Sequence, residues 1–184
     1  MLYTRKGDNG TTKTFGCDQR ISKSSTIAEA LGTLDEINSF LGLCKVKSKE
    51  QNIYLPNQES MSDFLHKTQK NLFIVQAEVA GSQLSITEDK VKEVESVVDS
   101  IEKELPPIKT FFISGGTELA SVFDIARTIS RRAERRVVGV VEEGHVSVGE
   151  FTKSYLNRLS SLLYAFARFS NHKANIAEEG PDYK

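Results

Sequence analysis

Five stretches of this chain, each roughly twenty residues long, repeat apolar side chains every three or four positions, the period of a helix with one buried face. With only four prolines in 184 residues, little interrupts that pattern. The first stretch covers about 25–46 and carries Ile27, Leu31, Leu34, Ile37, Leu41 and Cys44 as its stripe. The second covers about 61–81, with Phe64, Leu65, Leu72, Val75 and Val79 turned inward. The third is acidic and amphipathic, opening behind Thr87 as N-cap and stopping at Pro106-Pro107. The fourth starts at Gly116 or Thr117 and continues to about 141. The fifth covers about 149–173, with Tyr155, Leu159, Leu162, Leu163 and Phe166 inward. No convincing strand and no internal repeat separates them. The expected fold is all-α, a five-helix up-and-down bundle.

Composition sets the class of partner. Hydrophobic content of 39% and charged content of 27% describe an ordinary globular chain, long enough for one domain over 1–184. A formal net charge of −1 argues against a broad basic surface for nucleic acid, so positive charge must act locally. Cys17 and Cys44 have neither metal-ligand spacing nor the look of a disulfide framework. No apolar run has membrane-span length and no signal-type segment opens the chain, so a cytoplasmic protein without a membrane partner is expected.

Local positive charge is concentrated in two places. Residues 3–16, "YTRKGDNGTTKTFG", hold three glycines, four threonines and three basic residues against one acid. Such a ribbon is either a frayed terminus or a phosphate cradle, built from converging backbone N–H groups, hydroxyls and cations. It is not a Walker loop, since the G-x-x-x-x-G-K-[ST] pattern is absent. The fourth helix carries "ARTISRRAERRVV", five arginines with one acid in thirteen residues. Arg127, Arg131, Glu134 and Arg135 share one helical face, opposite Leu119, Val122, Ala126, Ile129, Ala133 and Val137. That face is either solvated or built for a polyphosphate or carboxylate.

Three further features stand beside these. In "YLNRLSSLLYAFAR", Asn157, Ser161 and Arg168 lie roughly on one face, opposite the leucines. Asp35 sits among apolar residues in "EALGTLDEINSFLG" and wants a cationic partner, which the fourth-helix arginines could supply. Phe111 and Phe112 precede a Gly-Gly turn in "FFISGGTELA", a segment too apolar for a solvent loop; at least one of them should plug the end of the bundle.

Taken in order and spacing, "YTRKGDNGTT", "EALGTLDEINSFLG", "FFISGGTELA", "ARTISRRAERRVV" and "YLNRLSSLLYAFAR" make the chain resemble the PduO-type ATP:cob(I)alamin adenosyltransferases. The resemblance implies a five-helix bundle assembled as a homotrimer with sites between subunits. It further implies transfer of the 5′-deoxyadenosyl group of ATP to cob(I)alamin, with ATP and cobalamin as substrates and Mg²⁺ on the phosphates. A reductase and a cobalamin-dependent enzyme are the implied partners.

Residue by residue, the resemblance assigns Thr4, Arg5, Lys6, Gly7, Thr12 and Lys13 to an ATP-binding strip within 1–24, and Lys23 to a further ATP contact. Arg131, Arg132, Ala133, Glu134 and Arg135 match the helical nucleotide motif, and Asn157 its asparagine. Asp35 and Arg127 match a pair that bridges subunits. Phe111 matches an aromatic residue beneath the corrin ring. The family often has Leu-Pro-Gly-Gly where this chain has Ile113-Ser114-Gly115-Gly116, and often histidine where Asp124 stands. The connection 47–60 and the tail 172–184 match no motif.

The residues leave two other readings to compare. A di-iron carboxylate bundle needs paired Glu-x-x-His motifs, but only Glu142-x-x-His145 fits, beside Gly144, while Asp63-x-x-His66 has the wrong acid. The remaining histidine, His172, lies by the tail, and His145 reads as an exposed loop residue. The other reading is a helical bundle that binds ATP without turnover.

Overall fold

Hydroxyl caps fix where two of the helices begin. Ser25 Oγ accepts the Ala28 N–H at 3.4 Å, and Thr117 Oγ1 accepts the Ala120 N–H at 3.1 Å. The computed structural model describes residues 3–14, 19–144 and 146–183; Gly16, Cys17 and His145 lie outside them. The elements are β1 (Thr11–Lys13), β2 (Arg20–Ser22), α1 (Thr26–Glu50), α2 (Met61–Val79), α3 (Glu88–Glu104), α4 (Glu118–Glu142) and α5 (Glu150–Lys173). The expected helices are all present. Thr87 and Gly149 are the N-caps of α3 and α5, although neither makes a side-chain cap bond.

The helices form a bundle in which α1 packs between α2 and α4, and α5 between α4 and α3. Its core draws on Leu34, Ile37 and Leu41 of α1, Leu119, Ala126 and Ala133 of α4, and Tyr155, Leu159 and Leu162 of α5, all fully buried. Ile27, Leu31 and Val122, assigned to the stripes, are only partly buried. Phe123, which the periodicity did not single out, is fully buried. It and Phe64 both meet Phe166 edge-on, at 5.4 and 6.1 Å between centroids. Such pairs add about 0.5–1.5 kcal/mol each beyond their burial. Burial pushes the Cys44 thiol up to about 12, so this cysteine packs as an apolar side chain.

Strands do occur, contrary to the reading from periodicity. β1 and β2 pair antiparallel, Thr11 with Ser22, Thr12 with Ile21 and Lys13 with Arg20. Each is three residues long, Ile21 being the one apolar side chain among hydroxyl and charged ones, too short to show alternation. Arg20 ties the hairpin, donating through Nε to Thr11 Oγ1 at 2.7 Å and through Nη2 to the Thr11 carbonyl at 2.8 Å.

The loop that joins α3 to α4 is gripped by the end of α5. Asn171 donates through Nδ2 to the Gly115 carbonyl at 2.8 Å, and its Oδ1 accepts the Thr117 N–H at 2.9 Å. Gly116 adopts φ 99°, and a Cβ there would meet Asn171 Oδ1 at 2.4 Å. Conformation and space both demand glycine. Gly116→Ala should therefore destabilise the fold by about 1–3 kcal/mol, read as a lower urea midpoint. An unchanged midpoint would mean that the junction is not tight.

Candidate active site

α4 buries Leu119, Ala126, Ala133 and Val137, so its arginines must emerge on the two flanks of that stripe. On the α1 flank, Arg132 pairs with Glu36, and Arg136 with Glu29 at 3.6 Å. On the α5 flank, Arg127 Nε donates to Asp124 Oδ1 at 3.2 Å, and the guanidinium lies over the Tyr164 ring at 5.9 Å. Glu134 Oε1 accepts from Asn157 Nδ2 at 3.0 Å. Asn157 Oδ1 accepts from Arg158 Nη1 at 2.7 Å, and Arg158 Nε donates to Glu95 Oε1 at 2.8 Å. Arg131 and Arg135 are exposed, and neither forms an ion pair with a described residue. Ala133 faces the core; its small side chain serves packing within the motif.

A cavity of about 390 Å³ opens where the α4–α5 groove meets the 106–117 loop. Phe111 and Phe112 of the loop, Asp124, Arg127 and Arg131 of α4, and Tyr164 of α5 line it. Phe111 is 80% exposed. Phe112 is half-buried, its ring 5.1 Å beneath the Arg168 guanidinium, so of the two phenylalanines it is the one that packs. Burial raises the Tyr164 phenol above its ordinary range, which keeps it neutral.

The N-terminal strip folds on itself before entering α1. Thr4, Arg5, Lys6, Lys13 and Lys23 are exposed, while Gly7 and Thr12 are half-buried. Arg5 has φ 58° and lies over the Tyr3 ring at 5.4 Å. Gly10 N–H donates to the Gly7 carbonyl at 3.1 Å, and Lys23 N–H to the Gly10 carbonyl at 2.9 Å. A Cβ on Gly7 would sit 3.2 Å from Lys23 Nζ, so glycine lets this ammonium lie against the turn.

The expected site residues thus fall into separate groups. Phe111, Arg127 and Arg131 share the cavity, and Glu134 with Asn157 continues the groove beyond it. The strip lies elsewhere. It enters α1 at the end where α4 finishes, since Thr26 donates to Glu143. The Phe111 loop lies where α4 begins, and a 25-residue helix is about 37 Å long. Asp35 is exposed, and within one chain it is not paired with a fourth-helix arginine. Its neighbour Glu36 takes Arg132 instead, and Arg127 binds Asp124 one turn back.

Sequence reasoning missed Tyr164 and did not reveal that Arg168 is buried under the tail. Asn157, Ser161, Tyr164 and Arg168 follow helical spacing, so Tyr164 was open to discovery as a member of that row. Among the described residues, no three His, Cys, Asp or Glu side chains come together as a metal-binding group.

Residues 2–170 match the cobalamin adenosyltransferase family. The corrinoid adenosyltransferase PduO of Citrobacter freundii is 38% identical over 181 residues, covering 95% of this chain and 51% of its own length. That of Salmonella typhimurium is 37% identical over 188 residues, covering 97% and 53%. The chain thus spans about half the length of these two relatives. It spans 90% of the Bacillus subtilis corrinoid adenosyltransferase, to which it is 37% identical over 181 residues and 96% of its own length. Among solved structures, a Phe-to-Ala variant of the PduO-type ATP:corrinoid adenosyltransferase from Lactobacillus reuteri, complexed with cobalamin and ATP, matches with a TM-score of 0.86. Identity is 29%, with 98% of this chain and 99% of that one covered. An Arg-to-Lys variant from the same organism, complexed with ATP, matches at 0.84 with 29% identity, covering 98% and 100%. Sequence and fold agree over nearly the whole length, and this chain belongs to the cobalamin adenosyltransferase family.

Proposed function

We propose that the chain is an ATP:cob(I)alamin adenosyltransferase, forming adenosylcobalamin and triphosphate from cob(I)alamin and ATP. One observation carries the reading: a single cavity is lined both by Arg131, a cation without an ion-pair partner among the described residues, and by Phe111, an aromatic ring left bare to it. The first suits a departing polyanion and the second the face of a flat macrocycle.

In the proposed step the electron pair of Co(I) attacks the 5′ carbon of ATP. A Co–C bond forms, the C5′–O bond breaks, and triphosphate leaves with its electron pair. Cob(I)alamin is nucleophilic enough to need no activating base. The protein must supply orientation and stabilisation of the leaving charge. Arg131, Arg135 and the strip residues Lys6 and Lys23 would take the phosphates, with the Gly7 turn giving close backbone approach. Arg132, already paired with Glu36, would hold the motif in place. Mg²⁺, a hard cation that keeps several of its waters, would be held through the phosphate oxygens of ATP and would offset their charge. Below the ring, Phe111 would exclude an axial ligand, easing reduction of Co(II) by a reductase before transfer.

The strip and the Phe111 loop belong to opposite ends of α4, which supports a site completed by a neighbouring subunit in a homotrimer. Asp35, exposed in the single chain, would meet Arg127 across that boundary. No described helix is long and apolar enough to cross a membrane. We propose a cytoplasmic enzyme that delivers its product to a cobalamin-dependent enzyme.

The direct test is absorbance with ATP, Mg²⁺ and chemically reduced cobalamin. Failure to form adenosylcobalamin under conditions where ATP binds would refute the assignment. Arg131→Ala should cost about 1.5–3 kcal/mol in transition-state stabilisation and leave the melting temperature nearly unchanged. An unchanged rate with a large fall in melting temperature would make Arg131 structural. Asp35→Asn should shift the assembly toward smaller species in sedimentation, since breaking a pair buried at an interface costs about 3–5 kcal/mol. Wild-type sedimentation and activity together would remove the proposed pair. Phe111→Ala should slow turnover started from Co(II) with a weak reductant much more than turnover started from preformed Co(I). Equal losses would reduce Phe111 to pocket packing.

A further inference from the structure

Phe111 is bare on nearly every side, so its own side chain cannot hold it in place. Whatever positions it must act on the backbone to either side. Three contacts do so. Phe112, the next residue, packs under Arg168. Ile113 N–H donates to the Glu179 carbonyl at 2.8 Å, tying the loop to the C-terminal tail. Beyond the Gly115 carbonyl, Asn171 anchors the loop to α5.

Arg168 is the point where these restraints converge. Its side chain is 4% exposed, and its guanidinium spends its donors on two separate segments. Nε donates to both Glu178 carboxylate oxygens, at 2.9 and 3.0 Å, and Nη2 donates to Glu178 Oε2 at 2.8 Å. Nη2 also donates to the Pro106 carbonyl at 3.0 Å, at the start of the loop. One planar cation therefore joins the loop entrance, the Phe112 ring and the tail. Arg168 and Glu178 also line the same cavity as Phe111 and Arg131. A lysine could supply the charge but not the fork that meets two segments at once.

We propose that Arg168 is a positioning residue for the reaction, acting with Glu178 to set Phe111 against the lower corrin face. The clamp fixes the tail, the tail fixes Ile113, and the guanidinium fixes Phe112, so the ring between them has one place to stand. This inference rests on the adenosyltransferase reading and on the role given there to Phe111.

The test uses the full chain with Glu178→Gln, Arg168→Lys and Arg168→Met beside Phe111→Ala. Glu178→Gln removes charge at little change of shape, so it reports even where an arginine variant fails to fold. Each clamp variant should lower Co(II)-started turnover by between about tenfold and about 100-fold, the scale of a misplaced group near a reaction centre. Co(I)-started turnover should fall much less, KM for ATP should hold, and the Ile113 amide should exchange faster with solvent. Faster Ile113 exchange with both turnovers unchanged would overturn the proposal, leaving a clamp that only orders the tail. Equal losses from Co(II) and Co(I) would overturn it as well. The underlying reading fails separately, if Phe111→Ala itself leaves the ratio of the two turnovers unaltered. The clamp then stands or falls on Ile113 exchange together with KM for the corrinoid.

Discussion

α4 must bury one stripe between two neighbours, and the site depends on how its charge is divided between the flanks that remain. Toward α1, Glu36 and Glu29 take up Arg132 and Arg136. Those pairs are half exposed, and such pairs contribute no more than about 1 kcal/mol to stability. Their effect is to use up cations on the flank away from the cavity. Toward α5, Asp124 and Glu134 are engaged with Arg127 and with Asn157, and Glu178 with Arg168. Arg131 and Arg135 are left over. A chain of net charge −1 thereby keeps a local positive potential where an anion can reach it.

That potential is useful only if the opposite wall of the groove stays still, and α5 is held at both ends. At its start, the buried carboxylate of Glu78 accepts the Gly149 N–H at 2.8 Å and the Ser85 hydroxyl at 3.0 Å, and also accepts from Thr152. An acid at a helix N-terminus satisfies free N–H groups and complements the helix dipole. In its second turn, Tyr155 is fully buried, and Asn71 Nδ2 donates to its hydroxyl at 3.3 Å. At the far end, Arg168 and Asn171 lock the helix to the loop and tail. Loop, tail and groove wall are thus referred to one rigid element.

What the sequence made legible follows from range. Helix limits depend on local signals, so Ser25, Thr117 and Pro106 marked them well, although α1 runs on to Glu50 and α2 stops at Val79. The β1–β2 hairpin depends on pairing across six intervening residues and carries no alternation, so nothing local announced it. Arg168 was grouped with Asn157 and Ser161, and the helical arithmetic was right: all three share a face. That face is open at Asn157 and Ser161 and covered at Arg168, because the tail folds back over the last turns of α5. No periodicity in α5 could reveal a cover that comes from residues 178–180. Within one chain, the pairing of α1 acids with α4 arginines is likewise settled between helices, where Glu36 and not Asp35 reaches Arg132.

The choice of arginine in the groove has a consequence for the chemistry. The large upward shifts lie in the core, where burial pushes Cys44 and Tyr155 to about 12. Raised lysines, such as Lys67 between Glu59 and Glu93, sit in ion pairs on the surface. Arginine keeps its proton throughout the pH range in which a fold like this survives. Its charge is a fixed feature of the groove, suited to stabilising a departing polyanion and useless for accepting a proton. The nucleophile must then bring its own reactivity. Within the proposed function that role falls to the Co(I) centre, and the protein is left with the task its geometry fits: holding two large substrates in line.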